Sequence, residues 1–374
     1  MRPPILIPAI AFVLPWLGTP QLKAQNVSIV VPRVAEAVDG NRWMTTHFRE
    51  AQPRRIQIVI GAEHLVGLAG KRIHKLAFRK DVKPLRPYAR IRGGESTRIR
   101  IVASWSDADP RFPSLTYSNN HASPQILFDG SVILPKVSGN ETRKVASFDP
   151  SEAPTIALQT HIAHVPGKSL VLDFTTYGGN EGYTWDWPVD AHTKFEPGVA
   201  KTIGSSCFTS KWSNNINIVK GSMRPGMHLK TDCLAPPNPV AAFMVFGLSD
   251  RLAFGVLPLP LRIAEPGCDL FVSPDVMAPA IFYQGPNGVA GGWAASEVAL
   301  PYMQSLHGAK LYFQYVFLHS EQQTLALKTT HGVEATLAAN PPSLGISLVA
   351  SMDTSAATGR VFLDFSPVMQ FEAR

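Results

Sequence analysis

The chain reads as an all-β protein, two antiparallel β-sandwich domains of jelly-roll-like build in tandem, on three observations. Short β-branched and aromatic runs recur along it. Clusters of Gly, Pro, Asn and Asp bound those runs, and long stretches of helical period are scarce. The 374 residues are 45% hydrophobic and 17% charged, which excludes a disordered chain, and the 28 Gly carry no collagen period. At roughly 100–200 residues per domain, this length predicts two domains.

Taken in order, Arg2 and the apolar run Ile5 to Leu17 read as a secretory leader (residues 1–24) cleaved after Ala24. Pro8 and Pro15 interrupt the run, which argues against a membrane helix. No later segment is long and apolar enough to span a bilayer, so no membrane span is expected after cleavage. Ile56–Ile60, Arg98–Val102 and Leu170–Phe174 are strands of a first sandwich over residues 25–200, with a helical turn near Gly61–Leu65. Phe243–Phe246 and Leu311–Phe317 are strands of a second sandwich over 201–338. The boundary falls around Pro197–Ser206. Ala338–Pro342 reads as a linker, and in residues 339–374 the runs Gly345–Val349 and Gly359–Arg374 are strand material returning to a sheet not identifiable from sequence.

Cys207, Cys233 and Cys268 are the three cysteines. In an exported protein two would pair and one would remain, and residue order alone ranks Cys207 with Cys233 equally with Cys207 and Cys268. None has C-x-x-C spacing, so neither a zinc site nor a redox motif is expected.

Gly204-Ser205-Ser206-Cys207, Gly255-Val256-Leu257-Pro258-Leu259-Pro260-Leu261 and Pro266-Gly267-Cys268-Asp269-Leu270-Phe271-Val272-Ser273-Pro274-Asp275 stand in that order. With Leu300-Pro301, Leu306–Gln314 and Thr330–Leu337 they resemble a C-terminal β module of uncharacterised secreted bacterial proteins. Arg55–Val59, Ile73–Arg79 and Ser169–Asp173 resemble, more weakly, the N-terminal β module of similar proteins. The resemblance implies an exported β protein and a Cys207–Cys268 disulfide, which leaves Cys233 free. It brings no activity with it.

Two features suggest ligand chemistry. Between Lys71 and Arg100 eleven cations face two carboxylates, a net +9 in a chain whose total is +7. Lys80, Lys83, Arg90 and Arg92 lie within this run, and such clusters attract polyanions in a salt-dependent way. The alternative is a solvated strand face. Tyr177–Phe195 gathers Tyr183, Trp185 and Trp187 with Asp186, Asp190 and Glu181. Aromatic faces stack on sugar rings while carboxylates accept hydroxyl hydrogen bonds, although such rings also cover sandwich edges. His161-x-x-His164 and Asp107-x-Asp109 are weak metal cues, since residues three apart on a strand face opposite sides and the aspartates suit a turn. The G-x-S-x-G elbow, the phosphate-binding loop, the dinucleotide fingerprint and H-E-x-x-H are all missing.

The reading is therefore a secreted, extracellular, non-enzymatic surface or matrix protein that takes no cofactor or metal. Its expected partner is an acidic polysaccharide or envelope glycan, and no specific nucleic acid is expected. The expected ligand residues are Trp185, Trp187, Tyr183, Asp186, Arg90, Arg92, Lys80 and Lys83. A polysaccharide hydrolase or lyase is the enzymatic alternative. It would need at least two of Tyr183, Asp186, Asp190, His161 and Arg90 to converge in a groove. Spacer modules are a third reading.

Overall fold

The computed structural model describes residues 26–44, 53–82, 96–135, 145–177, 187–194, 196–208, 216–218, 222–236, 238–283, 292–321 and 324–374. The predicted β runs lie in the strands Arg54–Ile60, Ser96–Ser106, Ser169–Tyr177, Pro239–Gly247, Lys310–Glu321 and Ile346–Ser351. The turn expected near residue 62 is a 3-10 turn over Ala62–His64. Among the described residues the α-helix Tyr117–Asn120 is a single turn. The protein is all-β and its paired strands are antiparallel.

Strands from both ends of the chain build the first group of sheets. A six-stranded sheet runs Arg360–Leu363, Ile346–Ser351, Arg54–Ile60, Ser169–Tyr177, Ser96–Ser106, Gln125–Ile133. A four-stranded sheet runs Val27–Val31, Met369–Ala373, Arg72–Phe78, Thr155–Ala163, and a three-stranded sheet runs Arg42–Met44, Val189–Thr193, Phe365–Pro367. Side chains alternate across each strand, so Ile56, Ile58, Ile99, Ile101, Leu172 and Leu348 of the large sheet face Ile29, Ile73, Leu76, Phe78 and Phe371 of the smaller one. The Phe78 and Phe174 rings meet edge-on at 5.6 Å between centroids. The strand material after the linker thus returns to the sheets of the first half.

Residues 199–336 build a second pair of sheets. The larger runs Val199–Ile203, Gly332–Thr336, Lys310–Glu321, Pro239–Gly247, Val276–Pro279; the smaller runs Asn217–Ile218, His228–Leu234, Trp293–Ala299, Ile281–Tyr283. Leu229, Cys233, Met244, Phe313, Phe317 and Ala335 form their shared core. Cys207 and Cys268 are disulfide-bonded, while Cys233 is a free, buried thiol. Burial pushes the Cys233 thiol well up, which makes it a poor nucleophile.

A buried ion pair joins distant parts of the first group. Arg79 and Asp190 meet at 2.7 Å with side chains 1% and 0% exposed. Arg79 also donates to the carbonyls of Ala35 (2.7 Å) and Val38 (2.5 Å), and Asp190 accepts the Gly40 N–H at 2.9 Å. A Cβ on Gly40 would lie 2.0 Å from the Ala191 carbonyl oxygen, so only glycine permits this approach. Around the pair, Arg79 N–H donates to Val368 and Val368 N–H donates to the Asp190 carbonyl. Burial pushes the Asp190 carboxyl up to about 6 against the pull of Arg79, so it is ionised at neutral pH.

Three outcomes are expected. Asp190→Ala should cost about 3–5 kcal/mol in denaturant unfolding at pH 7, because it strands the buried guanidinium, whereas the double change Arg79→Met with Asp190→Leu should recover most of that. A loss under about 1 kcal/mol for the single variant would show that the pair does not hold the sheets together. Reducing the Cys207–Cys268 bridge, whose cysteines are 61 residues apart, should cost about 4 kcal/mol. Thiol titration should find Cys233 silent in the native protein and reactive only in denaturant.

Candidate functional site

The residues singled out from the sequence fall into three groups. Tyr183, Trp185, Asp186, Lys83, Arg90 and Arg92 lie outside the described residues. Trp187 corrects the expectation of an exposed ring: it is 0% exposed within the first core, and its indole N–H donates to the Pro135 carbonyl at 3.2 Å. Lys80 is likewise buried, in backbone pairing with Val189 beside the Arg79–Asp190 pair. Asp190 serves that pair and is closed to ligand.

Other cues resolve into local structure. Lys75 pairs with Glu372 at 2.7 Å; Arg98 reaches Asp129 at 3.4 Å and lies over the Tyr177 ring. Asp109 accepts the Arg111 backbone N–H at 2.9 Å, the turn its sequence suggests, and the Arg111 guanidinium holds its carboxyl below the usual range. Asp107 is taken by Lys168 at 2.5 Å. His161 lies 5.9 Å from the His74 ring, whereas His164 meets Trp105 edge-on at 5.1 Å, so the two histidines face different neighbours. Among the described residues no three His, Cys, Asp or Glu side chains are grouped to hold a metal ion.

One constellation was invisible in the sequence. Ser104 Oγ lies 2.8 Å from His121 Nδ1, and His121 Nε2 lies 3.6 Å from Asp173 Oδ2. These are the residue types of a nucleophilic triad, but Ser104 is 2% exposed and its Oγ accepts the Ala122 N–H. Arg55 forks onto Asp173 at 2.7 Å through Nη2 and stacks over Tyr117 at 4.1 Å. Gln57 donates to the Tyr117 carbonyl and accepts from Asn120. The cluster is packed against the outer face of the large sheet, with Gln57, Ser104, Tyr117, Asn120 and Asp173 buried. No local run marks residues 55, 104, 121 and 173 as partners.

A concave surface rich in cations lies instead where the two groups of sheets meet. Strand Arg360–Leu363 is the edge of the six-stranded sheet, and residues alternate across it. Val361 and Leu363 pack with Tyr117, Val349, Met227 and Tyr302. Beside this strand a cavity of about 230 Å³ is lined by Arg42, Arg224, His228, Lys230, Arg360, Phe362 and Phe365, among others. Arg224 is held by Asp364 at 2.7 Å with both side chains nearly buried, and Asp364 accepts the Ser343 and Leu344 N–H groups as well. Glu297 is shared between His228 Nδ1 at 2.9 Å and Arg360 Nη2 at 2.7 Å. Lys230 stands opposite Glu297 in register without an ion pair, and burial together with the Arg360 charge pulls its ammonium down. Arg42 has no carboxylate within ion-pair reach among the described residues. Four permanent cations thus face two carboxylates, a local excess of two positive charges.

A second recess, of about 540 Å³, adjoins the first and shares Arg360, Phe362 and Phe365 with it. Its remaining lining includes Met44, Arg54, Ile56, Leu348 and Ala350. Guanidinium and ammonium groups around a concavity bind oxyanions, by forked hydrogen bonds from arginine and point charge from lysine. Comparison of the chain with known protein families, with curated proteins and with solved structures finds no match in any of the three.

Burial raises the Asp173 carboxyl, but the nearby His121 ring and the forked Arg55 guanidinium outweigh it and hold it below the usual range. Its contribution to stability is therefore present above about pH 4 and lost as pH falls through the lower folded value. Asp173→Asn should be less stable than the parent at pH 7, with the gap narrowing on acidification. A gap that does not change with pH would show that the charge of Asp173 is not what braces this face.

Proposed function

We propose that this protein is an exported, non-enzymatic surface or matrix component that binds acidic glycans or related polyanions. The observation that carries the reading is the cavity beside strand Arg360–Leu363. There Arg42, Arg224, Lys230 and Arg360 surround a hollow, and Arg42 and Lys230 have no ion-pair partner among the described residues. Electrostatic attraction draws in the polyanion, and the two arginines already fixed by Asp364 and Glu297 offer oriented donors at little further cost in side-chain freedom.

An exported setting draws support from the leader-like N-terminus, from the Cys207–Cys268 disulfide and from the resemblance of residues 204–337 to a module of secreted bacterial proteins. No helix among the described residues is long and apolar enough to cross a membrane.

Acidic polysaccharides (polygalacturonate, alginate, heparin) and a neutral glucan should be compared by calorimetry at low and high salt. Retention of the acidic chains alone, weakening at least tenfold between about 50 and 500 mM salt, is expected. Arg42→Ala and Lys230→Ala should each weaken binding roughly three- to tenfold, and together more. Equal binding by the double variant would move the site elsewhere, and shortened product chains would establish an enzyme.

A further inference from the structure

The basic cavity adjoins an apolar recess, and Arg360, Phe362 and Phe365 line both. On the core face of the large sheet, Ile56, Ala350 and Arg360 form one cross-strand row; Leu348 and Phe362 stand opposite each other in the next. Met44 and Phe365 of the three-stranded sheet line the recess together with these rows, and among the described residues it is an open mouth of the first sandwich. Its volume of about 540 Å³ falls in the roughly 300–1,000 Å³ range of small-ligand sites. Ile56 and Leu348 are each 1% exposed at its floor, whereas Phe362 is 36% exposed at its rim, so the hollow runs from solvent to core along apolar side chains. Apolar walls of this extent gain free energy when a chain of methylenes displaces water from them.

We infer that the ligand is an amphipathic anion: an acidic sugar carrying an aliphatic chain, with the acid among Arg42, Lys230 and Arg360 and the chain in the recess between Phe362 and Phe365. Charge complementarity selects this occupant. Arg360, Phe362 and Phe365 line both hollows, so a molecule filling the recess with its tail must bring its other end to the cations, where a neutral or cationic head would leave them unmatched. This inference rests on the anion site proposed above and names the chemical class of its ligand.

The test uses the full-length protein and octyl, nonyl and decyl glucuronides below their micellar concentrations, with glucuronic acid and decyl maltoside as controls, all by calorimetry. Affinity should rise with tail length, by up to roughly fourfold per methylene, and exceed that of both controls. Ala350→Phe, which fills the recess, and Met352→Asp, which places a charge at its mouth, should abolish the length dependence while acidic polysaccharide binding persists. Cooperative unfolding at the parent temperature identifies folded variants, and Met352, 66% exposed, tolerates change without cost to the core. Polysaccharide binding with no gain from the tail would overturn this inference alone. Decyl maltoside binding as tightly as decyl glucuronide, without polysaccharide binding, would overturn the anion site and this inference together.

Discussion

The first group of sheets depends on a charge pair that water does not reach. Arg79 directly follows the strand Arg72–Phe78, Asp190 lies on Val189–Thr193, and the carbonyls of Ala35 and Val38 together with the Gly40 N–H complete their coordination. A lone guanidinium in that position would be prohibitively unfavourable, so the geometry is all or nothing: Arg79 is tolerable only when residues 35–40, 188–191 and 368 are all in place. This makes the pair a selector of register as much as a source of stability. A one-residue slip in any of these segments would leave a buried charge without its partner.

The same device recurs at the junction. Arg224 comes from the second group of sheets and Asp364 from the turn between the strands Arg360–Leu363 and Phe365–Pro367. Asp364 also gathers the N–H groups of Ser343 and Leu344, where the chain leaves the second group to re-enter the first. Holding this turn fixes the edge strand, and the edge strand carries Arg360 and Phe362 to the wall that both hollows share. The two hollows are thus a by-product of how the chain makes its return, and the buried Arg224–Asp364 pair that holds the turn also shapes their polar end.

Strand positions were legible because Ile, Val and Phe recur with turn residues between them, and that information is local. The pairing of Ile346–Ser351 with Arg54–Ile60, nearly three hundred residues away, was not, because complementarity of two alternating strands leaves no mark in either alone. Arg79 and Lys80 looked like part of an exposed cationic run since sequence counts charges without burial. Trp187 looked like a stacking platform for the same reason, although its N–H had a carbonyl waiting inside. The groove residues Arg42, Lys230 and Arg360 are too scattered for any motif to join them. Only the fold assembles them. The disulfide was half legible: the residues left Cys233 as a rival, and the reason it stays unpaired is that it faces the second core.

The strand Met369–Ala373 sits between Val27–Val31 and Arg72–Phe78, hydrogen-bonded to both. Until residues 369–373 have emerged from synthesis, those two earlier strands have an empty slot between them, and the first hydrophobic layer lacks Met369 and Phe371. Contacts of such long span form late. A polypeptide that lacks residues 369–373 therefore presents unsatisfied strand edges, which pairing of that segment closes. Such delayed closure leaves the two earlier strands free to be paired by whichever segment first offers a matching edge, so the order of arrival matters as much as the affinity.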